Sequence, residues 1–355
     1  MNIAIFINTP AQLHFYKNIW KKLREDGNKV YLLVRNYGET SPLMKEMNID
    51  HFQYSSPPDS KWGKVVSLPL AIYRVRRYLK KKNVDLITGF GTYDVITSMI
   101  RMKPVIVFSD SEPRINKKTF SVQFSVLKPF TNLFITPTSF GQDMGKKHRK
   151  INSYKEMAYL HPRYYTPNNE IYTLLGIDEN EKYILMRFNA FDALHDAGVY
   201  GFTNSMKVKM VKEFSKDYHV FISSEKGVPE EIENHVMDVP KNRIHDVLYN
   251  AHLLITDTQT MTTEAALLGT PVVRCNSWVG DNDMGNFIEL ERKYNMIYNF
   301  RDEEEGFKKA KELLSGNGIT DIYRKRREKI ILDKVDIVDK YCDIIYQMVE
   351  SGSVE

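Results

Sequence analysis

The chain has 355 residues, 42% hydrophobic and 27% charged, which is too long for one typical core and too apolar for wholesale disorder. Its two cysteines, Cys275 and Cys342, stand far apart among nine scattered histidines, a usage that excludes a disulfide framework and a structural zinc pattern and suits a reducing compartment. The formal charge of +5 is split: residues 1–165 hold 27 Lys and Arg against 12 Asp and Glu, the remainder 23 against 33, so the first half is either a solvated basic surface or the part that meets an anionic partner.

The opening "NIAIFI" reads as a strand buried on both faces, with no charged leader before it, so no signal peptide is expected. Pro10 breaks the run. "AQLHFYKNIWKKLREDG" then sets Leu13, Tyr16, Ile19, Trp20 and Leu23 at helical spacing, and Gly27 ends the helix. "KVYLLV" is the next strand. "VVSLPLAIYRVRRYLKKK" is expected to be helical around or after Pro69, and its apolar part is too short to span a bilayer, which makes the expected location cytoplasmic. "VDLITGFG", "KPVIVFSD" and "TNLFITPT" supply further strands in the first half, and "KYILMRFN", "YHVFISSE", "HLLITDT" and "TPVVRC" in the second. Alternation of strands with helices implies parallel sheets covered on both faces. Two prolines, paired asparagines and an acidic turn punctuate "AYLHPRYYTPNNEIYTLLGIDENEKYI" (158–184), which places a hinge at about 160–175. The expected organisation is a basic domain over 1–165, an acidic one over 166–335, and a C-terminal helix in 336–355 packing back on the first. The fold class is α/β, two Rossmann-like parallel-sheet domains facing a cleft, with ligands outside the strand C-termini.

The stretch "TDTQTMTTEAALLGTPVVRC" (256–275) places hydroxyls and one acid between a buried strand and a helix. Helix N-termini present unpaired N–H groups to anions, so Thr258, Gln259, Thr260, Met261 and Thr262 suit a diphosphate. Glu264, in the first turn, suits a ribose diol. The plainer reading is capping by Thr260 or Thr262, with Glu264 stabilising the helix start. "MRFNAFDALHD" adds Arg187, Asn189, Asp192, His195 and Asp196 after a strand, where a fixed cation stabilises a departing diphosphate. Arg187 equally suits a structural ion pair. "SSEKG" brings Ser224 to the same region, and "KNRIHDVLYNA" brings Ile244 and His245 just before a helix, where His245 equally suits a cap.

The 256–275 stretch resembles the nucleotide-binding segment of GT-B sugar-nucleotide glycosyltransferases and hydrolysing UDP-N-acetylglucosamine 2-epimerases, through Asp257, Thr258, Glu264, Ala265, Gly269 and Pro271. That resemblance implies that the acid holds the ribose, the turn holds the diphosphate, and Ile244 and His245 hold the base by backbone contacts. "TGFGTYDVITSMIRMKPVIVFSDSEP" resembles the peptidoglycan N-acetylglucosaminyltransferase: Gly89, Gly91 and Tyr93 match its glycine turn, Thr92 stands where it has a further glycine, and Asp110-Ser111-Glu112 replaces its His-Glu-Gln. "NTPAQLHFYKNI" resembles that enzyme's first loop, with His14 at the histidine position and Gln12 beside it on the acceptor side. End to end, the chain looks most like an uncharacterised prokaryotic family of GT-B-like proteins.

The function expected is an inverting, metal-independent glycosyltransferase. His14 is the first candidate for the acceptor's general base, with Asp110 and Glu112 as fallbacks. Retaining relatives carry a second glutamate where this chain has Thr256. No metal or cofactor is implied beyond the nucleotide-sugar donor, expected to be a UDP-sugar. The partners implied are a nucleotide sugar, a glycan or lipid-phosphate acceptor, and peripheral membrane contact, with "PRINKKTFSVQFSVLKPF" (113–130) as one basic-apolar segment for it. No helix-turn-helix, zinc or aromatic-strand signature argues for nucleic acid. The competing readings are a 2-epimerase, disfavoured because "NTPAQ" lacks the arginine and acid of the epimerases' first loop, and a non-enzymatic anionic-ligand binder.

Overall fold

The computed structural model describes residues 1–38, 40–56, 61–112, 125–189, 200–281 and 283–351, with 61–66 described by backbone alone. Described residues up to Tyr159, together with those from Val335 on, form one unit; Leu160–Lys334 form the other.

The first unit is built on seven parallel strands in the order β3-β2-β1-β4-β5-β6-β7: β1 Asn2–Ile7, β2 Lys29–Arg35, β3 Phe52–Ser55, β4 Leu86–Gly89, β5 Val105–Phe108, β6 Leu133–Pro137 and β7 His148–Ile151. β1 is central and buried from Ile3 to Ile7, with Ile5 opposite Leu32 on one side and Thr88 on the other. Its continuous apolar run is what a strand covered on both faces requires. Thr9 then caps helix α1 (Pro10–Glu25), its hydroxyl accepting from the Gln12 N–H, and Pro10 occupies N1, where its missing N–H costs no helical bond. The buried stripe of α1 is Leu13, Phe15, Tyr16, Ile19, Trp20 and Leu23. The C-terminal helix Ile337–Ser351 packs along α1 and brings the Tyr341 hydroxyl within 2.7 Å of Thr88 Oγ1.

Helices α2 (Thr40–Glu46), α3 (Lys61–Leu79) and α4 (Tyr93–Arg101) complete the crossovers after β2, β3 and β4. α3 begins well before Pro69 and continues through it. Ala71, Val75 and Leu79 of α3 pack with Val95 of α4 over the sheet.

The second unit has five parallel strands in the order β12-β11-β10-β8-β9: β8 Tyr183–Phe188, β9 His219–Ser224, β10 Leu253–Thr256, β11 Val272–Cys275 and β12 Ile297–Phe300. Phe188, Met206, Met210, Phe214, Ile222 and Ile255 lie in its core.

In each sheet the strand order reverses once, between β1 and β4 in the first and between β8 and β10 in the second. Crossovers on either side of such a point leave toward opposite sheet faces, which opens a crevice at the strand C-termini. The chain reaches both crevices with polar sequence: "NTPAQLH" and "GFGTYD" in the first unit, "RFN" and "DTQTMTTE" in the second.

Candidate functional site

At the second unit's reversal, β8 and β10 run side by side to Arg187 and Thr256. Thr256 Oγ1 donates to the Arg187 carbonyl at 2.9 Å and lies 2.8 Å from Thr258 Oγ1. Asp257 follows, fully buried. Its Oδ1 accepts the Asn189 N–H at 2.7 Å, and the Asn276 side chain donates to its carbonyl at 3.0 Å. Its Oδ2 lies against the Cα of Gly201, where a Cβ would approach within 2.3 Å, so only glycine fits there. Burial pushes the Asp257 carboxyl up to about 7, against the opposing pull of the Asn189 N–H and the Lys207 ammonium.

The helix after this turn is Thr260–Leu268, with Gln259 at the N-cap and no side-chain cap. This corrects the capping expectation for Thr260 and Thr262. Thr262 Oγ1 instead donates back to the Thr258 carbonyl at 2.7 Å. Among the expected phosphate contacts, the hydroxyls of Thr258 and Thr262 therefore hold the turn, while Gln259, Thr260 and Met261 reach the surface. The first-turn N–H groups remain the candidate for meeting an anion. Gly269, at φ 84°, closes the helix in the left-handed region.

Glu264 is the fifth residue of that helix, one turn deeper than expected, and is buried. Its Oε1 lies 3.2 Å from His245 Nε2. Ile244 and His245 are the first two residues of helix Ile244–Asn250 rather than the residues before it, and His245 turns its ring to Glu264 instead of capping. Tyr165 packs edge-on against the His245 ring and donates to Asp246 Oδ1 at 2.6 Å, and Asp246 also takes the Arg243 guanidinium at 2.6 Å. Burial, then Asp246, hold the Tyr165 phenol above its usual range. Arg187 donates to Ser223 Oγ at 2.8 Å and to Glu225 Oε1 at 2.6 Å, which fixes its guanidinium across the ends of β8 and β9 beside Ser224. His195, with Asp192 and Asp196, lies outside the described residues.

A buried Arg274–Asp283 pair at 2.9 Å anchors the start of helix Gly285–Arg292, whose Asn286 donates to Thr263 Oγ1 at 3.1 Å. The Arg274 guanidinium also lies 3.8 Å from the centre of the Phe287 ring. Breaking such a pair costs about 3–5 kcal/mol, because one charge is left buried alone.

At the first unit's reversal, His14 lies inside α1 rather than in the loop before it, half-buried, its ring 5.2 Å from that of Tyr159. Gln12 turns back, its Oε1 accepting the Asn8 N–H at 2.7 Å. Gly91 has φ 104°, and its N–H donates to Asp94 Oδ2 at 2.9 Å. A Cβ on Gly89 would meet that same oxygen at 2.6 Å, which explains the glycine. Thr92 adopts φ 70°, ψ −86°, a conformation strained for a β-branched side chain. Thr92 thus keeps a glycine-like backbone without being glycine. The Tyr93 ring packs on Tyr54, whose hydroxyl donates to Asn8. Burial raises Asp94 to about 6.

Asp110 is ion-paired at 2.5 Å with Lys155, which also lies 3.4 Å from Glu156. Burial pulls Lys155 down, but Asp110 and Glu156 outweigh it and hold the ammonium above its usual range. Glu112 is buried. Sequence reasoning missed Asp94, Lys155, Tyr165 and Asp246. The spacing Gly91-x-x-Asp94 carries a signal, a side chain bonding back to a turn N–H. The Lys155 and Tyr165 contacts reach 45 and 81 residues along the chain and leave none.

Two parallel-sheet units with polar turns at their order reversals define a GT-B-like fold. The chain belongs to the protein family of unknown function DUF354, whose model matches residues 1–281. It is 23% identical over 291 residues to an uncharacterized protein of Methanocaldococcus jannaschii, covering 78% of this chain and 82% of that one. Among solved structures it is similar to UDP-GlcNAc 2-epimerase from Neisseria meningitidis bound to UDP-GlcNAc, with TM-score 0.67, 10% identity, and 99% and 100% of the two chains covered. It is also similar to MurG of Acinetobacter baumannii, with TM-score 0.58, 15% identity, and 98% and 100% covered.

Proposed function

We propose that the chain is a UDP-sugar enzyme acting as an inverting, metal-independent glycosyltransferase on a cell-surface glycan or lipid-linked acceptor, working beside the inner face of a membrane. The observation that carries this reading is the β8–β10 turn. A helix start with open N–H groups stands there beside a buried carboxylate, Glu264, that a histidine orients. In this reading the first-turn amides take the diphosphate, Glu264 the ribose diol, and the Ile244–His245 backbone the base. Arg187, fixed by Ser223 and Glu225, meets the charge that develops as the donor's sugar–phosphate bond breaks. The acceptor oxygen forms the new bond to the anomeric carbon with inversion. Its proton goes to His14, and the bonding pair leaves on the diphosphate.

The Asp110–Lys155 pair favours His14 over Asp110, because that carboxylate is already engaged by the Lys155 ammonium. The 2-epimerase reading is disfavoured by the first loop, where "NTPAQ" lacks the arginine and acid of the epimerases. Incubating the protein with radiolabelled UDP-sugars, with and without glycan acceptors, separates the readings. Label in the acceptor or slow hydrolysis supports the transferase, an epimeric product supports the epimerase, and no turnover with any donor refutes both.

A further inference from the structure

Six of the thirteen exposed large hydrophobic side chains among the described residues sit on three neighbouring pieces of the first unit. Leu70 and Tyr73 lie on α3, Met99 and Ile100 on α4, Met102 just past its end, and Phe130 on the short turn before β6. α3 packs against α4, and α4 packs against that turn, so the three share one side of the sheet. Met102 is 89% exposed, an unusual degree for a methionine with no partner to cover it.

On these three pieces the exposed charge has one sign. Arg74, Arg76, Arg77, Lys80 and Lys81 are all exposed along and just beyond α3, and Lys128 is exposed beside Phe130. Neither α3 nor the turn contains an Asp or Glu, and the one acid of α4, Asp94, is fully buried. Leu70, Tyr73, Arg74 and Arg77 recur at the spacing of one helix face, with the apolar residues toward its middle and the cations toward its end.

We propose that this side of the first unit docks on an anionic lipid bilayer, with Tyr73, Met102 and Phe130 entering the interface and the cations of α3 lying over the headgroups. It deepens the membrane-proximal reading above but stands on a different observation and needs no turnover. Charge decides between occupants. A second copy packed through the same patch would set Arg74, Arg77 and Lys80 against their equivalents with no acid to offset them. An anionic surface matches them, and the apolar side chains give it depth that a purely electrostatic contact lacks.

The test is co-sedimentation of the full chain with vesicles of phosphatidylglycerol and phosphatidylcholine, compared with phosphatidylcholine alone. The protein should pellet with the anionic vesicles and not with the neutral ones. Arg74→Gln with Arg77→Gln should lower partitioning by about tenfold or more, and Tyr73→Ser with Met102→Ser should do the same. Leu332→Ser, equally exposed but in the second unit, should change nothing. Raised salt should weaken but not abolish binding by the native chain. Unchanged melting temperatures would show that the variants fold, and unchanged turnover on a water-soluble acceptor would separate this proposal from the catalytic reading. Equal binding to both vesicles would overturn it. So would binding indifferent to the Tyr73 and Met102 substitutions, the mark of a polyanion site such as one for RNA. A concentration-dependent dimer lost in the same variants would assign the face to self-association instead.

Discussion

At the β1–β4 reversal the strand ends are closed mostly by rings: Phe15, Tyr16, Phe90, Phe108 and Tyr341 pack mostly edge to face, with the tyrosine hydroxyls tied to Thr88. At the β8–β10 reversal the same topology is closed by threonine hydroxyls, two buried carboxylates, an imidazole and a clamped guanidinium. Topology supplies a crevice in both places, and the side chains set what each can hold. The ring-backed crevice, reached by the polar "NTPAQLH" turn, is the one the proposal gives to the acceptor, and the one dense in oriented polar groups suits a nucleotide. Both reversals hold a carboxyl that burial raises, Asp94 and Asp257, and the first adds a backbone held at φ 70° in Thr92.

Substitutions on the two sides should fail differently. His14→Ala should lower turnover by about 10²–10⁴-fold, the usual contribution of a general base, while donor affinity is kept. Full activity in steady-state assays would move the base to Glu112 or Asp110, tested by Glu112→Gln and Asp110→Asn; activity in all three would end the transferase account.

Asp257 gives the next largest effect. Its folded-state pKa of about 7 lies above the ordinary carboxylate value, so between the two the folded chain keeps a proton that the unfolded chain has released. Its contribution is full below the unfolded value and is lost as the pH rises to about 7. Asp257→Asn should remove that slope, shifting the stability difference between native and variant by about 2–4 kcal/mol between roughly pH 4 and pH 7. Denaturant melts across that range with parallel profiles would count against a neutral Asp257.

Glu264→Ala should weaken nucleotide-diphosphate binding by about 1.5–3 kcal/mol, the scale for hydrogen bonds to a charged group. Calorimetry on the folded variant checks it. The smallest effect is expected at Thr92: Thr92→Gly should leave the protein as stable or raise stability by about 1 kcal/mol, relief of strain exceeding the entropy glycine adds to the unfolded chain. A clear loss in thermal melts would mean that the threonine side chain makes a contact that outweighs the strain.

The strands legible in sequence are mainly those inside the sheets, because burial on both faces demands an apolar run such as "NIAIFI" or "HLLIT". Three that were not read, β3 "FQYS", β7 "HRKI" and β12 "IYNF", are sheet edges, where one side meets no further strand and the pattern relaxes. At the candidate site the residue types around Glu264 were visible, but not where their hydrogen bonds go. Thr258 and Thr262 spend their hydroxyls inside the turn, and the helix begins early enough to carry Glu264 past its first turn to His245. Such partners are fixed by tertiary packing, as is the Lys155 that holds Asp110 from 45 residues away.

The central claim is that the polar crevice of the second unit, and not the ring-backed one of the first, holds the nucleotide. Titrating UDP into the native chain, Glu264→Ala and His14→Ala by calorimetry tests it most directly. The account predicts binding to the native chain, a marked loss in Glu264→Ala, and near-native affinity in His14→Ala. Binding lost in His14→Ala but kept in Glu264→Ala, or no UDP binding by the native chain, would contradict it.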